Sequence, residues 1–418
     1  MQFQLTSDFI ENIAQLIAKK DGNALRELLQ NFHFADIAEL LEELKSDQAT
    51  YLIQQLESDL TSEALMELDD DVREKILERL SPKEIAAELE ELDTDDAADI
   101  IAELDEKIKQ KVIDKIEDQE HAADIVELLK YDEDTAGALM AKELVQVKET
   151  WTVAGCVREM RRQAENVTRV HSIYVTNKEG KLTGRLSLKD LLTAEAKTKI
   201  SDVFIPKVDY VTVHTENEEV ARIMQKYDLE AIPVVDDKGI LVGRITIDDI
   251  VDFIKDEAEK DYQMASGISK DVEADDSIID LTKARLPWLV LGLLGGLGSV
   301  YIMRGFDEAL ATHVELFFFT PLIAAMAGNV GVQSSAIIVQ GLANDNVKGS
   351  LFKRLLKEVG LALINGLALG VLVILFGALT QMDQQVAFTI AISMLLVIIV
   401  AALVGTFVPI ILDKKGID

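Results

Sequence analysis

The sequence has little of several residue types, and each shortage excludes a class of protein. One cysteine in 418 residues, Cys156, allows no internal disulfide and no cysteine metal cluster, which is typical of a reducing compartment. Basic residues are outnumbered, with 42 Lys and Arg against 74 Asp and Glu and a net charge of −32. So negative a surface repels phosphate backbones, and we expect no nucleic acid partner. The first ten residues lack the basic and then apolar order of a cleavable signal peptide.

The charge is unevenly distributed along the chain. Nine basic and eight acidic residues lie from Leu281 onward, so 33 basic and 66 acidic residues precede that point. Long apolar runs begin in the same region and predict four membrane spans, at Leu286–Met303, Val314–Ala343, Val359–Thr380 and Val386–Leu412. The sequence therefore predicts an acidic, water-exposed region joined to a membrane domain.

Basic residues flank the predicted spans on one side. Eight of them precede span one, separate spans two and three, or follow span four: Lys283, Arg285, Lys348, Lys353, Arg354, Lys357, Lys414 and Lys415. The other two loops contain only Arg304. Under the positive-inside rule the eight residues are cytoplasmic, and so is the acidic region. We expect a multi-pass protein of the plasma (inner) membrane, embedded in the lipid bilayer.

A repeat of about 24 residues runs through the first 130 residues or so. Two series of apolar anchors recur at this spacing, namely Leu44, Leu68, Leu92 and Ile116, and, twelve residues behind each, Leu56, Leu80, Leu104 and Leu128. The repeats predict an all-α stack of short helices over residues 1–132. Asp95 and Asp99 share one helix face there, where carboxylates repel unless a cation lies between them. Most acidic side chains on such a stack are simply solvated surface.

A second repeat is a gapless internal duplication. Ile173–Leu192 aligns on Ile232–Val251 with a constant offset of 59 residues. Each copy is predicted to form a strand, a glycine turn, a strand and a helix. This pattern resembles a tandem pair of CBS domains, an α/β module, over residues 133–255.

The resemblance to CBS pairs implies clefts that often take adenine nucleotides, so ATP is a possible cofactor. The matching positions are Gly184, Ser187, Asp190, Gly243, Thr246 and Asp249. Backbone amides and a hydroxyl at a helix start suit a phosphate group. The alternative is a module that dimerises or senses ions and binds no nucleotide.

Two further groups of polar residues suggest cation binding. Asp249, Asp252 and Asp256 fall on one helix face, and Mg²⁺, held by a few carboxylates and retained waters, would relieve their repulsion. Span two places Asn329, Gln333, Ser334 and Ser335 among small residues at bilayer depth. They either line a transport path or join helices by hydrogen bonds. Because Gly328 and Gly331 would let backbone carbonyls approach an ion, we favour a path lined by Gly328, Asn329 and Gln333.

The order of these segments, with G-N-x-G-x-Q-S-S at Gly328–Ser335, resembles the MgtE family of Mg²⁺ channels over essentially the whole chain. The resemblance implies a homodimer with a pore on its twofold axis. It also implies a cytosolic region that binds divalent cations and closes the pore at high Mg²⁺. Residues 256–285 would then hold the connecting helix, roughly Val272–Arg285, and 286–418 the transmembrane domain.

Carried over position by position, the resemblance implies a set of Mg²⁺ ligands: Asp95, Asp99, Glu218, Asp228, Asp249, Asp252, Glu257 and, at the cytoplasmic mouth, Asp418. Where the family can carry another acid after Glu257, this chain has Lys260. Family members continue with a fifth membrane helix that bears the principal pore aspartate, whereas the sequence given stops at Asp418. Either the chain is truncated or its last helix is left out of the sequence given, and we expect the four spans alone to conduct poorly.

Three functions fit the sequence. The favoured one is a Mg²⁺ channel gated by cytosolic Mg²⁺, and the alternative is a coupled divalent-cation transporter regulated by adenine nucleotide at the CBS pair. A membrane-tethered sensor without transport is a third. No nucleophile and base are paired in the sequence, so we do not expect an enzyme.

Overall fold

The computed structural model describes residues 5–163, 170, 172–272, 276–343, 347 and 350–416, apart from the side chains of 309 and 310. The chain forms two compact units, Met1–Glu257 and Ala258–Asp418. The first contains a helical domain and two α/β repeats, and the second contains the long apolar helices. The predicted combination of all-α, α/β and transmembrane parts is confirmed.

Ten short helices form the helical domain: α1 (Ser7–Ala18), α2 (Gly22–Leu29), α3 (Phe34–Glu42), α4 (Ser46–Ile53), α5 (Ser58–Met66), α6 (Asp70–Leu77), α7 (Pro82–Leu89), α8 (Thr94–Glu103), α9 (Glu106–Ile113) and α10 (Gln119–Leu128). From α2 to α9 each helix starts twelve residues after the previous one. Helix α3 packs on α5, α5 on α7 and α7 on α9, while α4 packs on α6 and α8 on α10. One 24-residue repeat is thus a pair of helices, one in each row of the stack.

Local sequence explains why the helices are short. The Glu84 amide donates to the Ser81 hydroxyl, which caps α7, and the Ser81 amide donates to the Glu84 carboxylate, with Pro82 at the first helical position. The apolar anchors are buried except for the half-buried Leu56, and all but Leu128, the last residue of α10, lie just past a helix end. Each helix is too short to be stable alone, so its packing on the next repeat stabilises it.

The α/β part consists of two copies of one three-stranded unit. The first has β1 (Val145–Lys148), α11 (Val153–Gln163), β2 (Ile173–Thr176), β3 (Leu182–Leu186) and α12 (Leu188–Thr193); the second has β4 (Val211–Thr212), α13 (Asn217–Tyr227), β5 (Ala231–Val235), β6 (Leu241–Thr246) and α14 (Ile247–Ala265). In each sheet the first two strands are parallel and the last two antiparallel.

The two copies match residue by residue. Val175 pairs with Gly184, and Val234 pairs with Gly243, both at the offset of 59, and a bulge follows each pair. Gly180 and Gly239 occupy the same left-handed turn position, with φ of 83° and 79°. The two turns bond to each other, because the Leu182 amide donates to the Gly239 carbonyl (3.1 Å) and the Leu241 amide to that of Gly180 (3.1 Å).

Within the part of the second unit that the structure describes, four helices are long and apolar enough to cross a membrane: Ile278–Arg304, Val314–Ala343, Leu351–Leu379 and Gln384–Asp413. They correspond to α15 (Ile278–Arg304), α17 (Val314–Phe317) with α18 (Thr320–Ala343), α19 (Leu351–Leu379) and α20 (Gln384–Asp413), and the short α16 (Asp307–Thr312) precedes α17. The second span is interrupted between Phe317 and Thr320, just before Pro321, whose ring disfavours a continuous helix at this point. Helices α18, α19 and α20 pack together.

The connecting region differs from the helix expected at roughly Val272–Arg285. Residues 273–275 lie outside the described part, and Ile278–Arg285 form the first turns of α15 rather than a separate helix. After α14, Gly267 (φ 80°) lies against Trp288, so that a Cβ there would overlap the indole ring. The amide and hydroxyl of Ser269 both donate to the Ala284 carbonyl, at 3.0 and 2.9 Å. This segment therefore folds back onto α15.

Candidate functional site

Carboxylates meet where the helical domain contacts the second α/β copy. Asp95, Asp96 and Asp99 lie on α8, and Asp249 lies in the first turn of α14. The structure thus brings three of the predicted ligands, Asp95, Asp99 and Asp249, into one group with Asp96, which the sequence did not single out. We call these four residues the interdomain acidic cluster.

Burial and mutual repulsion raise the pKa values in the interdomain acidic cluster. Desolvation and then Asp249 raise the pKa of Asp96 to about 8. Desolvation, and to a smaller extent the charge of Glu103, raises the pKa of Asp99 to about 6, although this side chain is still exposed to solvent. The pKa of buried Asp95 is raised, first by desolvation and then by Asp96 and Asp249. A bound cation would lower all of these values by favouring the charged form.

Arg244 supplies positive charge beside the cluster. Its side chain is buried, donating from Nη2 to Asp93 Oδ2 at 2.8 Å and from Nε to the Glu143 carbonyl at 2.5 Å. Nearby, the Thr94 hydroxyl donates to Glu143 Oε2 at 2.9 Å. Arg244 therefore joins α8 to β6 through its pair with Asp93. Desolvation raises the pKa of Asp249 in the interdomain acidic cluster, and the hydrogen bonds from Thr246 and the charge of Arg244 oppose that rise.

The interdomain acidic cluster is not a finished coordination shell. Among the residues that the structure describes, no three His, Cys, Asp or Glu side chains are placed to hold one metal ion. The donors are nevertheless carboxylate oxygens, the ligands that Mg²⁺ prefers, and Mg²⁺ keeps several of its waters. Such an arrangement suits a hydrated ion that draws the two domains together.

The other predicted ligands lie apart from this cluster. Glu218 is exposed in the first turn of α13, and Asp228 ends that helix in a left-handed conformation with φ 53°. Asp252 lies on α14, where desolvation and then Asp256 raise its pKa, and Glu257 follows on the same helix. Asp418 lies outside the described residues.

The predicted nucleotide positions serve packing and capping in this structure. At Gly184 a Cβ would come within 2.2 Å of the Ile205 carbonyl, and at Gly243 within 2.8 Å of the Ala141 carbonyl. Ser187 caps α12, in whose first turn Asp190 lies. The Thr246 amide and hydroxyl both donate to Asp249, at 2.9 and 2.7 Å. These six residues therefore have structural partners, whether or not a phosphate also binds.

A cleft in the α/β part is a better candidate for an anion site than the six predicted nucleotide positions. It is lined by Ser172, Tyr174, Arg185, Lys207, Val208, Asp209, Leu229 and Ala231. The Tyr174 hydroxyl is buried without a hydrogen-bond partner, and desolvation raises its pKa to about 12. Two cationic side chains and an unpartnered donor suit an anionic ligand. The sequence missed these residues, because they come from segments that are distant along the chain.

The polar residues of α18 divide between two faces. Gly328, Asn329 and Gln333 are exposed in the single chain, whereas Ser334 is buried. The Ser334 hydroxyl donates to Glu358 Oε1 on α19 at 2.6 Å, so for Ser334 hydrogen bonding between helices is what the structure contains. The sequence missed Glu358 because the basic residues before it led us to begin the third span at Val359.

Three protein families match the chain, each over a separate segment. The MgtE intracellular N domain matches residues 32–134, and the CBS domain matches residues 136–197 and 200–256. The MgtE family described as a divalent cation transporter matches residues 320–418. The matched segments follow the order predicted from the sequence.

Curated relatives and a solved structure agree with these matches. The chain is 36% identical over 295 residues to the magnesium transporter MgtE of Thermus thermophilus, and 34% identical over 292 residues to that of Bacillus subtilis. Each alignment covers 70% of this chain and 65% of the relative, so the matched part spans just under two thirds of those proteins. The crystal structure of the cytosolic domain of the Mg²⁺ channel MgtE in complex with ATP superposes with a TM-score of 0.55 and 36% identity, covering 58% of this chain and 99% of that one.

Proposed function

The chain belongs to the MgtE family, and from this we propose that the intact protein conducts Mg²⁺ across the plasma membrane through a channel that cytosolic Mg²⁺ closes. Its relatives in Thermus thermophilus and Bacillus subtilis are named magnesium transporters. The eight basic residues beside the spans favour a cytoplasmic position for the acidic unit. Mg²⁺ is then both the transported ion and the regulator.

The observation that carries this proposal is the interdomain acidic cluster. Asp95, Asp96 and Asp99 belong to the helical domain, and Asp249 belongs to the second CBS repeat. Ionised together, they push the two domains apart, since close carboxylates of like charge repel by kcal/mol amounts. A divalent cation between them reverses the sign of that interaction. Cytosolic Mg²⁺ thereby favours the closed cytosolic unit and, through it, the closed pore.

The remaining metal positions belong to the same proposal. Glu218, Asp228, Asp252 and Glu257 add carboxylates along α13 and α14, and Asp418 adds one at the cytoplasmic mouth. Spread along two helices, they suit hydrated ions rather than a tight cage. The helical domain would end at residue 132, the CBS pair at 255 and the connecting region at 285.

Two surfaces support a homodimer. On α12 and α14, Leu188 and Leu192 match Ile247 and Val251 at the offset of 59, and all four are exposed apolar side chains. On α18, the face with Asn329 and Gln333 is left uncovered by the chain itself. Amide side chains at bilayer depth are unfavourable against lipid, so a water-filled path shared with a second copy is the better environment for that face.

Flux into liposomes tests the proposal. The complete protein is reconstituted with a Mg²⁺ indicator inside, and Mg²⁺ is varied on the side that the acidic unit faces. Wild-type flux should fall as this Mg²⁺ rises, and Asp249→Asn should need several-fold more Mg²⁺ to close, because one cluster charge is lost while an acceptor for Thr246 remains. The difference in closing concentration between the variant and wild type should be larger at pH 8.5 than at pH 6, since at the lower pH protons neutralise Asp96 almost fully and Asp99 in part.

Glu27→Gln is the matched control. Glu27 is an exposed acid on α2, far along the chain from α8, and its removal changes the net charge by the same amount. It should leave the closing concentration unchanged. Flux that ignores Mg²⁺ on the cytosolic side, or equal shifts in both variants, would contradict gating by the interdomain acidic cluster.

A coupled transporter regulated by adenine nucleotide is the second candidate. The cleft around Tyr174, Arg185 and Lys207 favours it, as does the ATP complex of the matched cytosolic domain. In the same liposomes a channel reverses at the Mg²⁺ equilibrium potential, whereas an exchanger shifts with Na⁺ or H⁺. ATP that changes the closing concentration in wild type but not in Arg185→Ala would place the nucleotide in this cleft.

A further inference from the structure

Helices α18, α19 and α20 enclose a small apolar cluster. Ala362 of α19 and Ala402 of α20 are buried in it, and Val330 of α18 packs against it. Helix α19 runs in the opposite direction to α18 and α20. One turn forward along α18 and α20 and one turn back along α19 therefore leads to one and the same neighbouring layer.

That neighbouring layer is polar on every helix. It contains Ser334, Glu358 and Thr406, each four residues from the apolar cluster. Ser334 donates to Glu358 at 2.6 Å. Gly405, next to Thr406, lies so close to α18 that a Cβ would come within 3.2 Å of Ser334 Cβ. The three polar side chains are thus at one level of the bundle, which we call the polar layer.

Among the described residues, the polar layer contains a carboxylate and a buried hydroxyl that has no hydrogen-bond partner. The Glu358 carboxylate accepts the hydrogen bond from the Ser334 hydroxyl. The Thr406 hydroxyl is fully buried and has no partner. An ionised carboxylate among apolar helices is unfavourable unless a cation compensates it, and a buried hydroxyl is unfavourable unless it is bonded. Both deficits would be met by one cation.

We propose that Glu358, Ser334 and Thr406 form a divalent cation site inside the membrane bundle, separate from the exposed face of Asn329 and Gln333. One carboxylate, two hydroxyl oxygens and water are hard oxygen ligands of the kind that Mg²⁺ accepts. Glu358 is half-buried near the start of α19, close to the basic residues placed at the cytoplasmic side, so the ion would enter from that side. This site rests on the proposed divalent cation transport and extends it to a second location.

Cleavage by bound iron tests the site in the complete protein. Fe²⁺ takes the place of Mg²⁺, ascorbate and peroxide generate radicals at the bound metal, and mass spectrometry maps the cleaved peptides. We expect cuts near residues 334, 358 and 406 that excess Mg²⁺ suppresses. Glu358→Gln should abolish these cuts. Thr406→Val, which keeps the shape and the charge, should weaken Fe²⁺ binding at the layer by roughly tenfold or more.

Glu308→Gln is the control, because it removes an exposed acid from α16 and should leave the cuts unchanged. If Glu358→Gln does not fold, Thr406→Val and Ser334→Ala carry the test. Cuts confined to the cytosolic unit would overturn the site and leave the cytosolic sensor standing. Cuts in the bundle without cuts near α8 and α14 would support the site and count against the sensor. Cuts near 358 that persist in Thr406→Val and Ser334→Ala at wild-type Fe²⁺ concentrations would also overturn it.

Discussion

At the scale of single residues, burial decides which acidic side chains are protonated, and Glu88 is an example. Glu88 of α7 is buried in the helical domain and accepts a hydrogen bond from the Thr61 hydroxyl at 2.6 Å. Desolvation raises its pKa from 4.5 to about 7, despite the opposing effect of that hydrogen bond. The folded domain therefore holds a proton on Glu88 at pH values where the unfolded chain has lost it.

Glu88 should make the stability of the cytosolic unit depend on pH. Because its folded pKa lies above the unfolded value, its contribution is fully present below pH 4.5 and is lost as pH rises through 7. Between pH 5 and 8, wild type should lose on the order of 2 kcal/mol of unfolding free energy that Glu88→Gln retains. Urea unfolding of residues 1–257 measures this difference.

Glu84→Gln provides the comparison for Glu88. Hydrogen bonds from Ser81 lower the pKa of Glu84, so any contribution it makes is present above pH 4.5 and is lost only on further acidification. The pH 5 to 8 difference should be the same in Glu84→Gln as in wild type. Parallel pH profiles for wild type and Glu88→Gln would show that Glu88 stays ionised in the fold.

At the scale of elements, one ion pair joins α8 to β6. Arg244 and Asp93 are 7% and 25% exposed at the side chain, and their atoms lie 2.8 Å apart. Breaking a buried pair by removing the cation leaves an uncompensated charge and costs on the order of 3–5 kcal/mol. Arg244→Met should therefore loosen α8, which hydrogen exchange of its amides in the complete protein would detect as faster exchange.

Asp93→Asn should behave differently from Arg244→Met. It removes the same ion pair but also removes a negative charge that raises the pKa values of Asp95 and Asp96. We expect the α8 amides to exchange more slowly in Asp93→Asn than in Arg244→Met. Combining both substitutions should restore part of the protection from exchange that Arg244→Met alone removes. Equal exchange in the two single variants would mean that Arg244 contributes packing rather than charge.

The elements differ in how readily the sequence predicts them. Helix α7 was predictable because Ser81, Pro82 and Glu84 define its start locally, and the two CBS copies were predictable because each repeats the other. The contact between Asp93 and Arg244 was not, because 151 residues separate them and burial decides their pairing. The apolar run of the first span begins only at Leu286, because Ile278–Arg285 carry charges, whereas helix α15 itself begins at Ile278.

The sequence predicted some residues of the candidate sites and missed others, because it does not show which acids become buried. The resemblance supplied Asp95, Asp99 and Asp249, but nothing in the sequence distinguishes Asp96 from its exposed acidic neighbours. Glu358 was hidden by Lys353, Arg354 and Lys357, which suggested a solvated loop. Which acids are buried depends on how distant segments pack, and the residues next to each acid along the chain do not determine that packing.

At the scale of the whole molecule, the matched apolar faces of α12 and α14 predict where two copies meet. With Cys156 replaced by Ser, Val251→Cys should form a disulfide-linked dimer on oxidation in membranes, because a residue near a twofold axis faces its own copy. Non-reducing electrophoresis detects the product. Glu120→Cys, an exposed position on α10, should stay largely monomeric, and equal cross-linking at both positions would indicate random collision.

The regular spacing of helices α2 to α9 restricts how the helical domain can change in length. Since neighbours in one row are 24 residues apart, a viable insertion or deletion must comprise two helices. Losing twelve residues would exchange the two rows from that point onward and turn α8 away from β6. The length of the helical domain before its contact with the second α/β copy can therefore vary between homologous proteins only in steps of one helix pair.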